Sequence, residues 1–313
     1  MSILQSTIKG AIFGLAVGDA LGVPVEFRSR ESLKASPVTE MGGYGTHNQP
    51  PGTWSDDSSM TFCLMESLCN GYDLKDLGHK FQEWLYHAYW TPHGEVFDHG
   101  NATAAAIKNL RRGIEPIHCG GMEEDSNGNG SLMRILPLAF YVRNHSIAER
   151  FQLTKEVSSV THAHFRSVLG CFIYIELALA LMKGKSAEVA YHNMRVTVNA
   201  FIQQQDWNQQ EVNVYNRVLV QDISSLPEDA ISGSGYVLHA LEASIWCLLT
   251  ADTYQDTVLK AVNLGEDTDT TAAIAGGIAG ILYGYEAIPA FWIAQLARME
   301  DIQDLIDRFA ASL

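Results

Sequence analysis

Apolar residues recur along most of the chain at intervals of three and four positions, which is the spacing of one face of an α-helix. The repeat is clearest in four sets: Ile8, Ile12, Leu15 and Ala16; Phe81, Trp84, Leu85 and Ala88; Val168, Cys171, Phe172 and Ile175; and Leu238, Leu241, Ile245 and Leu248. Residues 194–201 contain a β-branched run that fits a strand, but their helix-like flanks favour a helix. An amphipathic helix is also predicted over residues 132–142.

Turn-forming residues separate these helical segments. Gly, Pro, Asn and Ser are concentrated in four stretches, at residues 41–52, 91–100, 113–130 and 224–235. The stretches hold candidate functional residues, and no interdomain linker, internal repeat or low-complexity segment is visible. The pattern therefore predicts a single all-α domain over residues 1–313, with its helices packed orthogonally.

The composition narrows the class of protein. Hydrophobic residues make up 47% of the 313 positions and charged residues 18%, so a sizeable core is available. The formal net charge of −15 argues against nucleic acid as the main partner, because binding to phosphate backbones needs a basic surface. The five cysteines are odd in number and lack CxxC spacing, which argues against a disulfide framework and against a zinc site.

The apolar stretch 11–25 could be mistaken for a signal sequence. Asp19 and Glu26 interrupt it, and no apolar run of membrane length follows. We therefore expect a cytoplasmic protein that does not associate with membranes.

Two acidic clusters stand immediately before apolar helical runs. They are Trp54-Ser55-Asp56-Asp57-Ser58 and Gly265-Glu266-Asp267-Thr268-Asp269-Thr270. Residues of these types cap helix N-termini, so capping alone explains part of the pattern. A cap needs only one acceptor, however, and each cluster supplies two carboxylates with no basic residue close by. Buried carboxylates must be neutralised, so the two clusters together predict one site for hard cations.

Five motifs, in order along the chain, carry a resemblance to a known family. They are Gly18-Asp19-Ala20-Leu21-Gly22 followed by Glu26, Trp54-Ser55-Asp56-Asp57, Gly128-Asn129-Gly130-Ser131-Leu132-Met133-Arg134, Thr161-His162, and Gly265-Glu266-Asp267-Thr268-Asp269-Thr270. The chain resembles the ADP-ribosylglycohydrolase family over residues 10–284, nearly its whole length. The resemblance implies an all-α fold and hydrolysis of the N-glycosidic bond that joins ADP-ribose to a protein, with an arginine linkage favoured.

Within this resemblance the acidic clusters become a metal site. Four carboxylates packed together need neutralising charge, which two divalent cations would supply. All-oxygen ligation suits Mg²⁺ or Mn²⁺. The predicted ligands are Ser55, Asp56, Asp57, Asp267, Asp269 and Thr270, and the predicted catalytic residues are Glu26, Asp57 and Asp267.

Two further acidic residues lie in or after the first helix. Glu26 could form an ordinary surface pair with Arg28, but the family carries a mobile glutamate beside the metals at this position, which favours a role as gate or base. Asp19 interrupts an apolar helix, and a buried carboxylate needs partners. We predict that it bonds to backbone near the site.

Residues predicted to bind the substrate lie in later turns and at helix starts. They are Asp125, Asn127, Gly128, Asn129, Gly130, Ser131, His162 and Tyr236. The glycines would let backbone amides approach a pyrophosphate, or they form a plain turn. In the family the position of His162 lines the ribose cleft, whereas Tyr236 would either stack on adenine or fill the core. Arg134 would pair with a phosphate or with an acidic neighbour.

The chain departs from the commoner family pattern at two positions. Ser55 stands where threonine is usual and keeps the hydroxyl group, whereas Glu266 stands where glycine is usual and adds charge beside the cations. The run Glu123-Glu124-Asp125 either contacts the guanidinium of an arginine acceptor or is a solvated acidic loop.

The expected partners are an ADP-ribosylated protein and ADP-ribose. Three alternatives stay open: hydrolysis of a serine or O-acetyl linkage, a metal-dependent phosphoesterase acting on a nucleotide diphosphate, and a non-catalytic binder of ADP-ribosylated protein. Product analysis separates the enzymes, because a glycohydrolase releases free ADP-ribose. The complete set of six ligands argues against a pure binder.

Overall fold

Sixteen α-helices joined by turns and short 3₁₀ segments form the fold in the computed structural model, which describes residues 2–313. Their bounds are α1 Ile3–Gly22, α2 Arg30–Ala35, α3 Asp56–Leu68, α4 Leu74–His87, α5 Asn101–Arg111, α6 Leu136–Tyr141, α7 Ile147–Ser159, α8 Phe165–Leu181, α9 Ala187–Ile202, α10 Gln209–Asn213, α11 Asn216–Leu219, α12 Val237–Leu249, α13 Tyr254–Val262, α14 Thr268–Tyr283, α15 Ala290–Gln295 and α16 Met299–Ser312. Within residues 2–313 there is no β-strand, so the all-α prediction is confirmed. Residues 194–201 lie in α9, as the helical flanks predicted.

Helix α1 lies at the centre of the core. Every residue from Gly10 to Gly22 is buried, so neighbouring helices cover it on all sides. By length and composition the segment Ile3–Val25 passes the test for a membrane span, yet 89% of its most apolar window is buried inside the protein. The hydrophobicity of α1 is therefore used in packing, chiefly against α14 and α16.

Helices α1 and α14 run antiparallel with their backbones in direct contact. A Cβ atom added to Gly10 would lie 2.4 Å from the carbonyl oxygen of Gly280, and one added to Gly22 would lie 2.3 Å from the Cα of Asp269. Only glycine allows so close an approach. The C-terminal end of α1 is thereby held against the N-terminal end of α14, which carries the second acidic cluster.

Asp19 connects α1 to the start of α3. Its carboxylate accepts hydrogen bonds from the backbone N–H groups of Ser55 at 2.9 Å and Ser58 at 3.0 Å, and from Oγ of Ser58 at 2.6 Å. These backbone donors belong to the first turn of α3 and have no partner within the helix. The prediction that Asp19 bonds to backbone near the site is confirmed. Burial raises the pKa of Asp19 to about 6, and the hydrogen bonds oppose that shift.

The helix predicted over residues 132–142 is shorter than expected, because α6 begins only at Leu136. Pro137 lies in its first turn, where the missing N–H costs no hydrogen bond; a helix that began at Leu132 would place the proline in its interior. Residues 131–134 form turns instead. They extend the loop that carries the glycine motif.

Gly18→Ala tests the contact between α1 and α14. The added methyl group would lie 2.1 Å from the carbonyl oxygen of Ala272 and force the helices apart, so we expect the free energy of unfolding to fall by about 1–3 kcal/mol. In Gly42→Ala, the matched control, no atom of residues 2–313 outside Gly42 and its two chain neighbours lies within 4 Å of the new Cβ, and the change should stay below about 0.5 kcal/mol. Chemical denaturation measures both, and equal stabilities would contradict the proposed close packing.

Candidate active site

A cleft of about 330 Å³ opens where the end of α1, the start of α3 and the start of α14 meet. Nine of the predicted site residues line it: Glu26, Asp56, Asp125, Gly128, Asn129, Gly130, His162, Asp267 and Thr270. Ser55, Asp57 and Asp269 are buried next to these lining residues. The fold thus brings the two acidic clusters together: Thr270 Oγ1 donates to Asp57 Oδ2 at 3.4 Å across a separation of 213 positions.

Buried and half-buried carboxylates form the floor of the cleft. One carboxylate oxygen each from Asp19, Asp57 and Asp269 lie within 4.8 Å of one another, and the same holds for Glu26, Asp267 and Asp269. Burial raises the pKa values of Asp57 and Asp269 well above the usual range, and neighbouring carboxylates raise them further. If all these groups were ionised they would repel one another strongly, so the floor is suited to bound positive charge.

The donor atoms of the floor suit a hard divalent cation. Oγ of Ser55 donates to Oδ2 of Asp57 at 3.0 Å, whereas Oδ1 of Asp57 is buried and has no hydrogen-bond partner in residues 2–313. A buried carboxylate oxygen without a partner is costly, and coordination to a cation removes that cost. The cluster around it contains only oxygen donors, which Mg²⁺ and Mn²⁺ prefer.

Helix capping accounts for only part of the acidic clusters. Ser55 is the N-cap of α3, and its Oγ accepts from the backbone N–H of Asp57 at 3.2 Å. Asp267 is the N-cap of α14, but its side chain makes no capping hydrogen bond. Its carboxylate instead accepts from Nδ2 of Asn129 at 2.8 Å. Asp267 therefore joins the cleft floor to residues 127–131, called the glycine loop below.

Glu26 is 5% exposed and does not form a surface pair with Arg28. Its carboxylate contacts Nε2 of His47, and both groups lie within 4.8 Å of a carboxylate oxygen of Asp98. Burial raises the pKa of Glu26 to about 7; the hydrogen bond from His47 opposes the shift, and the charge of Asp98 adds to it. A carboxyl group that titrates near neutral pH is suited to proton transfer.

The glycine loop forms one wall of the cleft. The backbone amides of Gly128 and Gly130 donate to no backbone acceptor in the part of the chain that the structure describes. A Cβ atom added to Gly130 would lie 2.8 Å from Cε1 of His162, so a larger residue would displace that ring. The two amides are therefore free to bind an anionic ligand.

Arg134 supports this wall from behind. Its side chain is completely buried, donates to the carbonyls of Gly130 and Val157, and packs 4.9 Å from the centroid of the Phe81 ring. Both predicted roles for Arg134 are wrong, because it contacts carbonyl groups and neither reaches the cleft nor pairs with an acidic side chain. The reason is its complete burial, in which the carbonyls of Gly130 and Val157 are its hydrogen-bond partners.

His162 lines the cleft, and its contact with the ribose stays a prediction. Its Nδ1 lies 2.8 Å from Oγ1 of Thr161, and burial, assisted by the charge of Arg134, lowers the pKa of His162 to about 3. The imidazole is therefore neutral and serves as a hydrogen-bonding group rather than a cation. His164, two positions on, accepts from the backbone N–H of Arg166 at 3.2 Å and is the N-cap of α8.

Two residues predicted to contact the substrate have side chains buried behind the wall. Asn127 donates to the carbonyl of Glu124 at 3.0 Å and accepts from Oγ of Ser167 at 3.2 Å. Ser131 accepts from Oγ of Ser158 at 2.9 Å and has no exposed surface. Both side chains hold the loop in place, because their hydrogen-bonding capacity is used within the protein; binding of substrate by these two residues stays a prediction for their backbone groups.

Tyr236 is half-buried at the start of α12. The centroid of its ring lies 5.1 Å from that of His239 in an edge-to-face contact, and its backbone forms an isolated antiparallel β-bridge with Gly128 in the glycine loop. The side chain is not part of the cleft lining. Stacking of Tyr236 on adenine therefore stays a prediction.

The remaining predicted acidic residues differ in whether they line the cleft. Of the run Glu123-Glu124-Asp125, Asp125 alone lines the cleft, whereas Glu124 pairs with Arg166 at 3.0 Å. The side chain of Glu266 is exposed and lies outside the cleft lining, which corrects the expectation that it adds charge beside the cations. Its backbone takes a positive φ of 63°, in the left-handed region.

Sequence reasoning missed Asp98 and Phe27, which line the cleft, and His47, which contacts Glu26. Asp98 and His47 lie in turn stretches 91–100 and 41–52, and Phe27 directly follows Glu26. The available signal was the presence of acidic and aromatic side chains in turns. That signal does not indicate which turns meet in space.

Comparisons with known proteins match the chain to hydrolases of ADP-ribose linkages over nearly its whole length. A family described as ADP-ribosylglycohydrolase matches residues 1–313. The ADP-ribosylarginine hydrolase Tri1 of Serratia proteamaculans (strain 568) is 33% identical over 305 residues, covering 96% of this chain and 78% of its own length. The ADP-ribosyl-[dinitrogen reductase] glycohydrolase of Rhodospirillum rubrum is 28% identical over 291 residues, with 92% and 89% covered. A solved structure described as an ADP-ribosylglycohydrolase-related protein complex matches with a TM-score of 0.81 and 30% identity, covering 100% of this chain and 99% of the other.

Asp269→Asn tests whether the floor binds a cation. It removes a carboxylate that would hold the cation, so we expect Mn²⁺ affinity to fall by at least about tenfold. It also removes one like charge from the floor, so stability in chelator should be retained or raised. Isothermal titration and denaturation, with and without Mn²⁺, measure the two effects. Glu242→Gln is the control, because Glu242 is a buried carboxylate that pairs with Arg217 at 3.0 Å outside the cluster. Unchanged Mn²⁺ binding by Asp269→Asn would exclude a metal site at the floor.

Proposed function

The chain belongs to the ADP-ribosylglycohydrolase family, and we propose that it releases ADP-ribose from arginine side chains of proteins in a reaction that needs divalent metal. Membership makes it a hydrolase that acts on ADP-ribose linkages. The finer proposal rests on the charge of the cleft. Five carboxylates and no Lys or Arg line it among residues 2–313: Glu26, Asp56, Asp98, Asp125 and Asp267. Such a lining favours a cationic guanidinium over a neutral serine hydroxyl.

The metal ligands are proposed to be the six oxygen-bearing residues of the two clusters, holding two Mg²⁺ or Mn²⁺ ions. They are Ser55, Asp56, Asp57, Asp267, Asp269 and Thr270. When bound, such ions would orient the ribose hydroxyls, lower the pKa of a water molecule and offset negative charge. Support comes from the oxygen-only donor set and from the unpartnered Oδ1 of Asp57.

The reaction exchanges one bond for another. The oxygen of water bonds to the anomeric carbon of ribose, the bond from that carbon to the guanidino nitrogen breaks, and the nitrogen gains a proton while the water loses one. We assign the proton transfer to the Glu26 carboxyl group, because it is buried beside the floor and its pKa is raised to about 7.

The rest of the substrate is assigned to the walls. The cleft lining contains no Lys or Arg in residues 2–313, so the free amides of Gly128 and Gly130 are the protein donors proposed for the pyrophosphate. Neutral His162 is proposed to hydrogen-bond to the ribose. Asp125, an exposed residue of the cleft lining, is proposed to accept from the guanidinium.

Hydrolysis of defined linkages tests the proposal directly. The protein would be incubated with arginine-linked, serine-linked and O-acetyl ADP-ribose, with Mg²⁺, with Mn²⁺ and with chelator. We expect free ADP-ribose from the arginine linkage and only in the presence of metal. AMP and ribose phosphate among the products would indicate a phosphoesterase instead. Faster cleavage of the serine linkage would overturn the arginine assignment and leave the family activity in place.

Glu26→Ala separates proton transfer from binding. We expect the hydrolysis rate to fall by about 10²–10⁴-fold, because the general acid–base group is lost, while ADP-ribose affinity stays close to that of the unmodified protein. Glu31→Ala is the control, since Glu31 is an exposed carboxylate in the nearby helix α2. A Glu26→Ala variant with full activity would remove this residue from the reaction.

Asp125→Ala tests recognition of the leaving group. One charged hydrogen bond to the guanidinium would be lost, so kcat/KM for arginine-linked ADP-ribose should fall by about 10- to 100-fold, with ADP-ribose affinity nearly unchanged. Glu123→Ala, which removes an exposed carboxylate of the same loop outside the cleft lining, should have little effect. Equal losses for arginine-linked and serine-linked substrates would mean that Asp125 only shapes the loop.

A further inference from the structure

The Phe27 side chain is exposed at the cleft although the residue before it is buried. Phe27 is 68% exposed and Glu26 is 5% exposed, yet both line the cleft. An exposed phenyl ring has an unfavourable contact with water, and beside a cleft it offers an apolar face to a ligand.

The backbone at Phe27 holds the ring in this position. Its φ of 65° lies in the left-handed region, which bulky residues rarely occupy. Two backbone hydrogen bonds secure it: the N–H of Phe27 donates to the carbonyl of Glu266 at 2.7 Å, and the N–H of Glu266 donates to the carbonyl of Arg28 at 2.8 Å. Unfavourable backbone conformations that the surroundings enforce are concentrated at ligand-binding positions. Here the turn leaves Glu26 buried and Phe27 exposed.

The ring has aromatic neighbours that leave much of it uncovered. Its centroid lies 6.0 Å from that of His47 with an interplanar angle of 60°, and the His47 ring lies 5.2 Å from that of Phe97. The tilted contact does not cover the phenyl ring as a parallel stack would. Phe27 is therefore supported by its neighbours and open to the cleft.

The charges around the Phe27 ring determine which kind of chemical group can bind to it. Carboxylates of Glu26, Asp98 and Asp125 line the same cleft, and the face of a phenyl ring is itself electron-rich. A cation is attracted by both. Guanidinium is planar and weakly hydrated, so it stacks on an aromatic face while its N–H groups reach carboxylates.

We propose that Phe27 stacks on the guanidinium group of the arginine that carries ADP-ribose, and thereby selects the arginine linkage. This inference rests on the proposed function and deepens it by naming a residue that discriminates between acceptors. The ring contacts the acceptor and not the ADP-ribose moiety. Changing Phe27 therefore alters the linkage preference and leaves the affinity for free ADP-ribose as it was.

The experiment compares Phe27→Leu, Phe27→Ala and Phe27→Trp with the unmodified enzyme, using ADP-ribosyl-agmatine and a serine-linked ADP-ribosyl peptide. Leucine keeps apolar bulk but has no π face, so Phe27→Leu and Phe27→Ala should each lose about 3- to 30-fold in kcat/KM for ADP-ribosyl-agmatine. Phe27→Trp should retain it. Phe291→Ala is the matched control, because Phe291 is 50% exposed and lies outside the cleft lining. The Kd for ADP-ribose, measured for every variant, reports whether the cleft is intact.

If the unmodified protein cleaves ADP-ribosyl-agmatine, two outcomes would overturn the inference. One is full activity of Phe27→Leu on ADP-ribosyl-agmatine, which would show that apolar bulk suffices. The other is an equal loss on the serine-linked peptide, which would show a general effect on the cleft. If the unmodified protein does not cleave ADP-ribosyl-agmatine, the proposed function fails, and binding of the intact compound decides the role of the ring. Tighter binding of ADP-ribosyl-agmatine than of ADP-ribose, lost in Phe27→Leu, would support it; equal binding of the two ligands would overturn it.

Discussion

The direct backbone contact between α1 and α14 is the constraint on which the site depends. Glycines let the two helices approach until a Cβ atom on Gly22 would lie 2.3 Å from Asp269. That approach places the end of α1, with Asp19 and then Glu26, beside the start of α14. Asp19 in turn holds the first turn of α3 through Ser55 and Ser58. Three chain segments far apart in sequence are thus brought to one point by packing between helices.

The concentration of carboxylates at that point opposes folding. Each is removed from water and placed near like charges, which raises the pKa values of Asp56, Asp57 and Asp269 well above the usual range. The large apolar core and the hydrogen bonds donated to Asp19 compensate for that cost. A bound cation would reverse the sign of the electrostatic contribution, so stability and metal binding are expected to be linked. The arrangement is one in which a functional requirement is met at the expense of local stability.

The proposed substrate carries groups of opposite charge, which one cleft would have to accommodate. A pyrophosphate is anionic and a guanidinium is cationic, yet the side chains that line the cleft supply carboxylates and no Lys or Arg within residues 2–313. Main-chain amides at Gly128 and Gly130 provide positive dipoles on one wall without adding a charged side chain. The carboxylate of Asp125 and the ring of Phe27 offer complementary surface for the cation.

The sequence by itself determined the helices and the two acidic clusters. Periodicity of three and four predicted the all-α fold, and paired acids before apolar helices marked Asp57 and Asp269, because both signals are local in the chain. Only the tertiary structure decided that Glu26 is buried against His47 and that Arg134 contacts carbonyl groups behind the glycine loop. The extent of α6, by contrast, could have been predicted from Pro137, since a proline restricts its own helix. Local pattern reports which residues prefer burial or a helix end. Which segments cover them depends on long-range packing, in which a few glycines decide how closely two helices meet.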